Sequence, residues 1–175
     1  MATDSYNVKV FPLYRVGGKL PDHLIAALWL WQSRRSLADC PTIDQLGPDD
    51  LEGCGAAERF HIFDVSADDP LGYYMRRWSP IGNLAPTWDA LGVPLRGWPY
   101  PVQANSHADS LVACAEGRKP VLARVDRVLA GRPQSYVRLL CPLYDSRQRV
   151  TRIASIVEVN EYRITSRLID QAGPI

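Results

Sequence analysis

The sequence predicts an α+β fold: a five-stranded antiparallel sheet, a belt of helices across one face, and one more helix on the N-terminal side. Three observations predict it. Residues 20–37, LPDHLIAALWLWQSRRSL, carry apolar side chains at helical spacing with no internal breaker. RFHIFDVS and YYMRRWS alternate in the strand manner and are joined by the turn-forming ADDPLG. The last third holds KPVLARVDRVLAG, PQSYVRLLCPLYD and RVTRIASIVEVNEYR, three strand-like runs separated by short turns, the pattern of a meander.

Taken in order, residues 1–18 read as an N-terminal arm, in which VKVFPLYRV forms an added edge strand interrupted by Pro12. The domain is expected over 19–162 and a C-terminal tail over 163–175. Pro21 suits a first helical turn and Asp22 the positive helix end. On a helical wheel Leu20, Leu24, Leu28 and Trp31 share a face, Ile25 and Trp29 widen it, and Leu30 points elsewhere. Because Leu24, Leu28, Leu30 and Trp31 cannot all meet one sheet, they predict either a homodimer interface, which is preferred, or a covering of the helix by the N-terminal arm. Cys40-Pro41 ends this segment, and Pro48-Asp49-Asp50 starts a short helix closed by Gly53 or Gly55.

In the first strand Phe60 and Ile62 point one way, and His61, Phe63 and Val65 the other. PTWDALG predicts a short helix ending at Gly92, and SHADSLVACAEG a longer one with Ser106 as N-cap and Gly117 as stop. In the meander, Val121, Ala123 and Val125 are expected on one face with Val137, Leu139, Cys141 and Leu143; Ile153, Ser155 and Val157 lie on that face or its opposite. Pro142 requires a bulge or a local break in pairing.

The chain has 175 residues, 46% of them apolar and 22% charged, which fits one soluble globular domain and excludes wholesale disorder. Its longest apolar run, Leu24 to Trp31, is far shorter than the roughly 20 residues a membrane span needs. No secretory signal is visible, so a cytoplasmic location is expected, with no membrane partner. A net charge of +1 argues against a nucleic-acid partner. The charge is uneven: residues 1–117 carry 9 basic and 14 acidic side chains, residues 118–167 carry 11 basic and 4 acidic. Arg124, Arg138 and Arg152 are expected on one sheet face, either solvated or offered to an acidic partner.

Motifs for chemistry are sparse. Cysteines 40, 54, 114 and 141 have no metal or redox spacing and read as separate thiols, Cys40 and Cys54 being the one conceivable redox pair. No nucleophile elbow, zinc-protease motif, phosphate loop or dinucleotide fingerprint occurs, so the chain is not expected to be an enzyme; a dispersed site is the residual alternative. His23, His61 and His107 lie far apart. No cofactor is identified, and no metal site: His61 has either a haem iron or an ordinary strand position to serve, and the second is preferred. Cys114 stands two turns beyond His107, and a core position explains it better than a nucleophile does. Trp88 and Trp98, with Tyr136, either line a small apolar cavity with Arg138 or His61 at its edge, or fill that space as core.

Two strands, a helical stretch and a three-stranded meander give the order of a PAS-type sensory domain. The chain resembles, over roughly 20–162, the bacterial single-domain PAS family in three patterns. These are Trp31 to Arg35 within LWLWQSRR, the Ile43, Asp44, Pro48 and Asp50 stretch, and the aromatic-leucine-Pro run from Tyr136 to Leu143. It departs from that family in its second strand, Tyr73 to Trp78, where a Gly-Thr pair is missing. The resemblance implies a PAS-like domain for sensing or signal transduction that binds a small ligand, an apolar one by the character of its rings, or a signalling protein partner. A ligand-free adaptor or dimerisation module is the alternative. No output domain fits within 175 residues, so a signal must pass to another chain.

Overall fold

The computed structural model describes residues 5–13, 20–35, 40–56, 59–77, 89–129 and 132–158. Strands β1 (Ser5–Pro12), β2 (Phe60–Asp64), β3 (Tyr74–Arg77), β4 (Val121–Leu129), β5 (Arg132–Tyr144) and β6 (Val150–Glu158) form one antiparallel sheet in the order β1-β4-β5-β6-β2-β3. The five expected strands are all present, and the arm supplies a sixth: β1 pairs with β4 residue for residue from Ser5 opposite Val128 to Pro12 opposite Val121. Pro12 ends the strand instead of interrupting it, because a residue without an N–H is tolerated at the end of an edge.

Helix α1 (Asp22–Arg34) lies on one face of the sheet and α3 (Pro101–Gly117) on the other; between them in sequence, α2 (Pro48–Leu51) runs into a π-type turn, Glu52–Ala56. The reason is the strand pattern. Both faces of β4, β5 and β6 are apolar, and such strands need cover on both sides. Register decides which residues go where. Val121 stands opposite Leu140, not Leu139, so Val121, Ala123 and Val125 face α3, whereas Val137, Leu139 and Cys141 face α1. The expected single face for both sets is thereby corrected, and Ile153, Ser155 and Val157 fall on the α3 side. The arginines separate by the same rule: Arg124 pairs with Asp126 and Arg152 with Asp64, while Arg138 points the other way and is buried.

Pro21 precedes α1, with its carbonyl accepting from Leu24 and Ile25 N–H. Leu24, Ala27 and Trp31 are buried against Phe60, Leu139, Cys141 and Ile156, and the Trp31 indole N–H donates to the Pro142 carbonyl at 2.8 Å. Leu28 and Leu30 are half-buried against the same core. All four expected interface residues therefore pack within this chain, because Leu13, Leu20 and Ile43 extend the core around the helix; the apolar residues of α1 left exposed are Ile25 and Trp29. β5 absorbs Pro142 and shifts register just beyond it, between Leu143 and Tyr144.

Asp69 caps a 3-10 turn at Pro70–Gly72, accepting from Leu71 N–H and closing the β2–β3 hairpin. Of the segment expected as a helix, 86–92, residues 86–88 lie outside the described residues; Asp89 to Gly92 are not helical, and Gly92 takes φ +71° while its N–H donates to the Met75 carbonyl. Helix α3 starts five residues before the expected Ser106, because Pro101 occupies its first turn, and ends as expected at Gly117, with Arg118 left-handed after it. No helix among the described residues is long and apolar enough to cross a membrane.

Candidate functional site

The alternation of β5 puts Tyr136, Arg138 and Leu140 on the face under α3, and the pairing of β6 with β2 puts Ser155 opposite His61 there. Helix α3 contributes His107 and Ser110, three apart and hence on one side. The result is a polar cluster inside an otherwise apolar layer of Phe63, Trp98, Ala108, Leu111 and Val125.

Arg138 brings a positive charge into the cluster, and only 2% of it is exposed. Its Nη2 donates to Ser110 Oγ, whose own hydroxyl turns back to the carbonyls of Ser106 and His107 at 3.1 and 3.0 Å. Its Nε has no hydrogen-bond partner among the described residues, and neither has Ser155 Oγ. His107 Nδ1 lies 3.0 Å from the Gln103 carbonyl, which can only accept, so Nδ1 carries the proton. The Tyr6 hydroxyl is 3.2 Å from the same nitrogen and 3.0 Å from the Tyr136 hydroxyl. The Trp98 ring meets His107 edge-on at 5.0 Å between centroids, and Phe63 lies 5.9 Å from it. Arg127 stacks its guanidinium over Tyr136 at 5.4 Å, with its Nε held by Gln134.

The electrostatics follow from burial beside a cation. Burial, then the Arg138 charge, pushes the His61 imidazole down to about 3. His107 is driven well below the usual histidine range by burial and then by Arg138. Tyr6 is raised well above the usual phenol range, first by burial and then by Tyr136. Near neutral pH the site therefore holds two neutral imidazoles beside the Arg138 guanidinium, with the Arg127 guanidinium over Tyr136. No group of three or more His, Cys, Asp or Glu side chains among the described residues is arranged to hold a metal.

Tyr6 also reaches the surface. It lines a cleft of about 150 Å³ with Ser5, Pro99, Tyr100, Pro101, Val102 and Gln103, so one side chain bridges the cleft and the buried histidine.

Of the sequence-derived site residues, Trp98, Tyr136, Arg138 and His61 converge on this cluster, while Trp88 lies outside the described residues. Tyr6, His107, Ser110 and Ser155 were not foreseen. The i, i+3 pair of His107 and Ser110 was a usable signal; Tyr6 was not, because its place depends on β1 joining β4. All four cysteines are free thiols, and Cys40 and Cys54 do not pair: Cys40 is buried and donates to the Arg118 carbonyl, and Cys54 follows Asp50 on the short helical segment. Cys114 is core, bonded to the Leu140 and Lys119 carbonyls, and burial raises its thiol well above the usual range.

Two further polar clusters are structural. Asp64 accepts from Ser66, Tyr74 and Arg152; burial raises its carboxyl, but these bonds together outweigh that and hold it below the usual range. Glu158, buried at the end of β6, meets Arg59 and, at 3.1 Å, His23 of α1.

No protein-family model matches the chain, and no curated protein matches it. Among solved structures it is similar to one described as an RNA-binding Light-Oxygen-Voltage receptor, with 16% identity and a TM-score of 0.45 over 98% of this chain. The chain spans 42% of that protein's length. The likeness is too distant to carry an assignment of fold or function.

Proposed function

We propose that the chain is a sensory module of PAS type, which binds a small molecule between α3 and the sheet and passes the change to another chain. The observation that carries the reading is the Tyr6–His107 contact, which ties the surface cleft to a buried polar cluster ringed by Trp98, Phe63 and Tyr136. Apolar walls with a few convergent polar groups are what small-molecule sites are made of. The sheet order supports the fold side: without β1, the β4-β5-β6 meander lies beside the β2–β3 hairpin, as the PAS resemblance implies.

A ligand that took the Tyr6 hydroxyl's place at His107 would favour a state in which β1 is displaced, and β1 precedes α1 in the chain. That difference in contacts between two states is what a signal requires. Native mass spectrometry of protein purified from its own cells, before and after denaturation, tests the reading. A bound small-molecule mass that denaturation releases is expected; protein carrying none overturns the sensor and leaves the adaptor. Trp98→Ala should weaken that binding more than it lowers stability.

A second reading, an adaptor or homodimerisation module, is favoured by one observation: Trp29 is 67% and Ile25 42% exposed on α1. Light scattering at high micromolar concentration should then detect a dimer that Trp29→Ser dissociates. A monomer at that concentration rules the dimer out.

A further inference from the structure

Arg138 is a buried cation with no carboxylate partner among the described residues. The buried carboxylates of the described residues engage other groups: Asp64 takes Arg152 and Arg76, and Glu158 takes Arg59 and His23; the half-buried Asp126 takes Arg124. A guanidinium out of water needs both a counter-charge and acceptors for its N–H groups, and here one neutral hydroxyl serves while Nε–H goes unmatched.

The second orphan lies beside it. Ser155 is opposite Leu140, two residues along β5 from Arg138, so Ser155 and Arg138 are diagonal neighbours on the same face. Ser155 is fully buried, and its hydroxyl has neither donor nor acceptor among the described residues. Two unmatched donors converge where neutral imidazoles and aromatic rings form the rest of the wall.

Resting on the sensory reading above, we infer that the small molecule of this site is a monocarboxylate on an apolar body, its oxygens accepting from Arg138 Nε–H and Ser155 Oγ–H. One guanidinium balances one negative charge. A phosphate would bring nearly two, and Arg127, already held by Gln134, stands at Tyr136, away from Ser155. The apolar body follows from Leu140 opposite Ser155, Val157 opposite Arg138, and Phe63 and Trp98, whose rings pack on His107.

The full chain, dialysed free of small molecules, is titrated by calorimetry with acetate, benzoate and octanoate, and with acetamide, benzamide and octanamide as uncharged counterparts. At least one acid should bind about 10-fold or more tightly than its amide, the discrimination a charge-assisted hydrogen bond supplies. Arg138→Gln should abolish that preference and Ser155→Ala should reduce it, with circular dichroism confirming that each variant is folded. Should Arg138→Gln not fold, Arg138→Lys, which keeps the charge but loses the fork, should still weaken the acid about 10-fold. Equal binding of acid and amide, no binding by any acid, or acid binding indifferent to both Arg138 variants overturns the carboxylate. The sensory reading falls separately: a neutral molecule released in native mass spectrometry keeps it and removes only the carboxylate.

Discussion

Beneath α1, the sheet presents Phe60, Ile62, Leu139, Cys141 and Ile156, and the one polar group brought against it, the Trp31 indole N–H, finds the Pro142 carbonyl. Beneath α3, the same strands present His61, Arg138 and Ser155, and two of these keep unmatched donors. One face has the composition of a core and the other of a site. Because each strand contributes alternate residues to each face, a single sequence builds a stable layer and a functional one back to back, and a substitution's cost depends on which it touches.

The largest expected difference is between two tryptophans. Trp31→Ala removes a ring that is 1% exposed, together with its bond to Pro142, and should destabilise by about 3–5 kcal/mol. Trp98→Ala, on the α3 side, should cost at least ~1 kcal/mol less, since its ring edges a polar cluster at the border of the layer. Urea unfolding of both variants measures this; equal losses would make both faces plain core.

Acidification should sharpen the contrast. The unfolded chain's histidines titrate near the ordinary value, while folded His61 is held at about 3 and His107 also well below that ordinary value. As pH falls from about 6.5, the unfolded chain binds protons that the native imidazoles refuse, so stability is full above that pH and drops below it, by about 1.4 kcal/mol per pH unit for each histidine. Burial first, and then Arg138, with Arg127 adding at His107, sets this resistance. Asp64, also depressed, loses its contribution only as pH falls below the ordinary carboxylate range, so the interval from 6.5 to 4.5 belongs to the histidines. His61→Gln should flatten the slope there by about one histidine's share, roughly 1.4 kcal/mol per unit. An unchanged slope contradicts the buried neutral imidazole.

The smallest effect is expected at Trp29. As an exposed residue outside both layers, its change to Ser should alter monomer stability by less than about 0.5 kcal/mol. A larger loss at low protein concentration would place Trp29 in a packed interface within the chain.

Much of this contrast is legible in the sequence, but not its sides. Strand alternation in RFHIFDVS correctly separates Phe60 and Ile62 from His61 and Phe63, because it depends only on local backbone geometry. Which face of β4 matches which face of β5 depends on register across a turn, and a one-residue difference there moves Arg138 from a solvated face into the interior. Helix α1 is legible for the same local reason as β2, whereas its covering by Leu13, Leu20 and Ile43 is a tertiary outcome. Tyr6 is the clearest limit: its role at His107, 101 residues away in sequence, follows from the pairing of β1 with β4.

An uncompensated cation beneath α3 has one thermodynamic signature that a structural arginine lacks. If Arg138 waits for a ligand's charge, the ligand-free protein is more stable without it, and Arg138→Met should raise the free energy of unfolding by about 1–3 kcal/mol, as replacing buried charge with a well-packed apolar side chain can do. Denaturant unfolding of dialysed wild type and Arg138→Met, side by side at pH 7.5, reads this difference. A loss of about 2 kcal/mol or more in the variant would mean that Arg138 already has its partners, and that the face beneath α3 is a core like the one beneath α1.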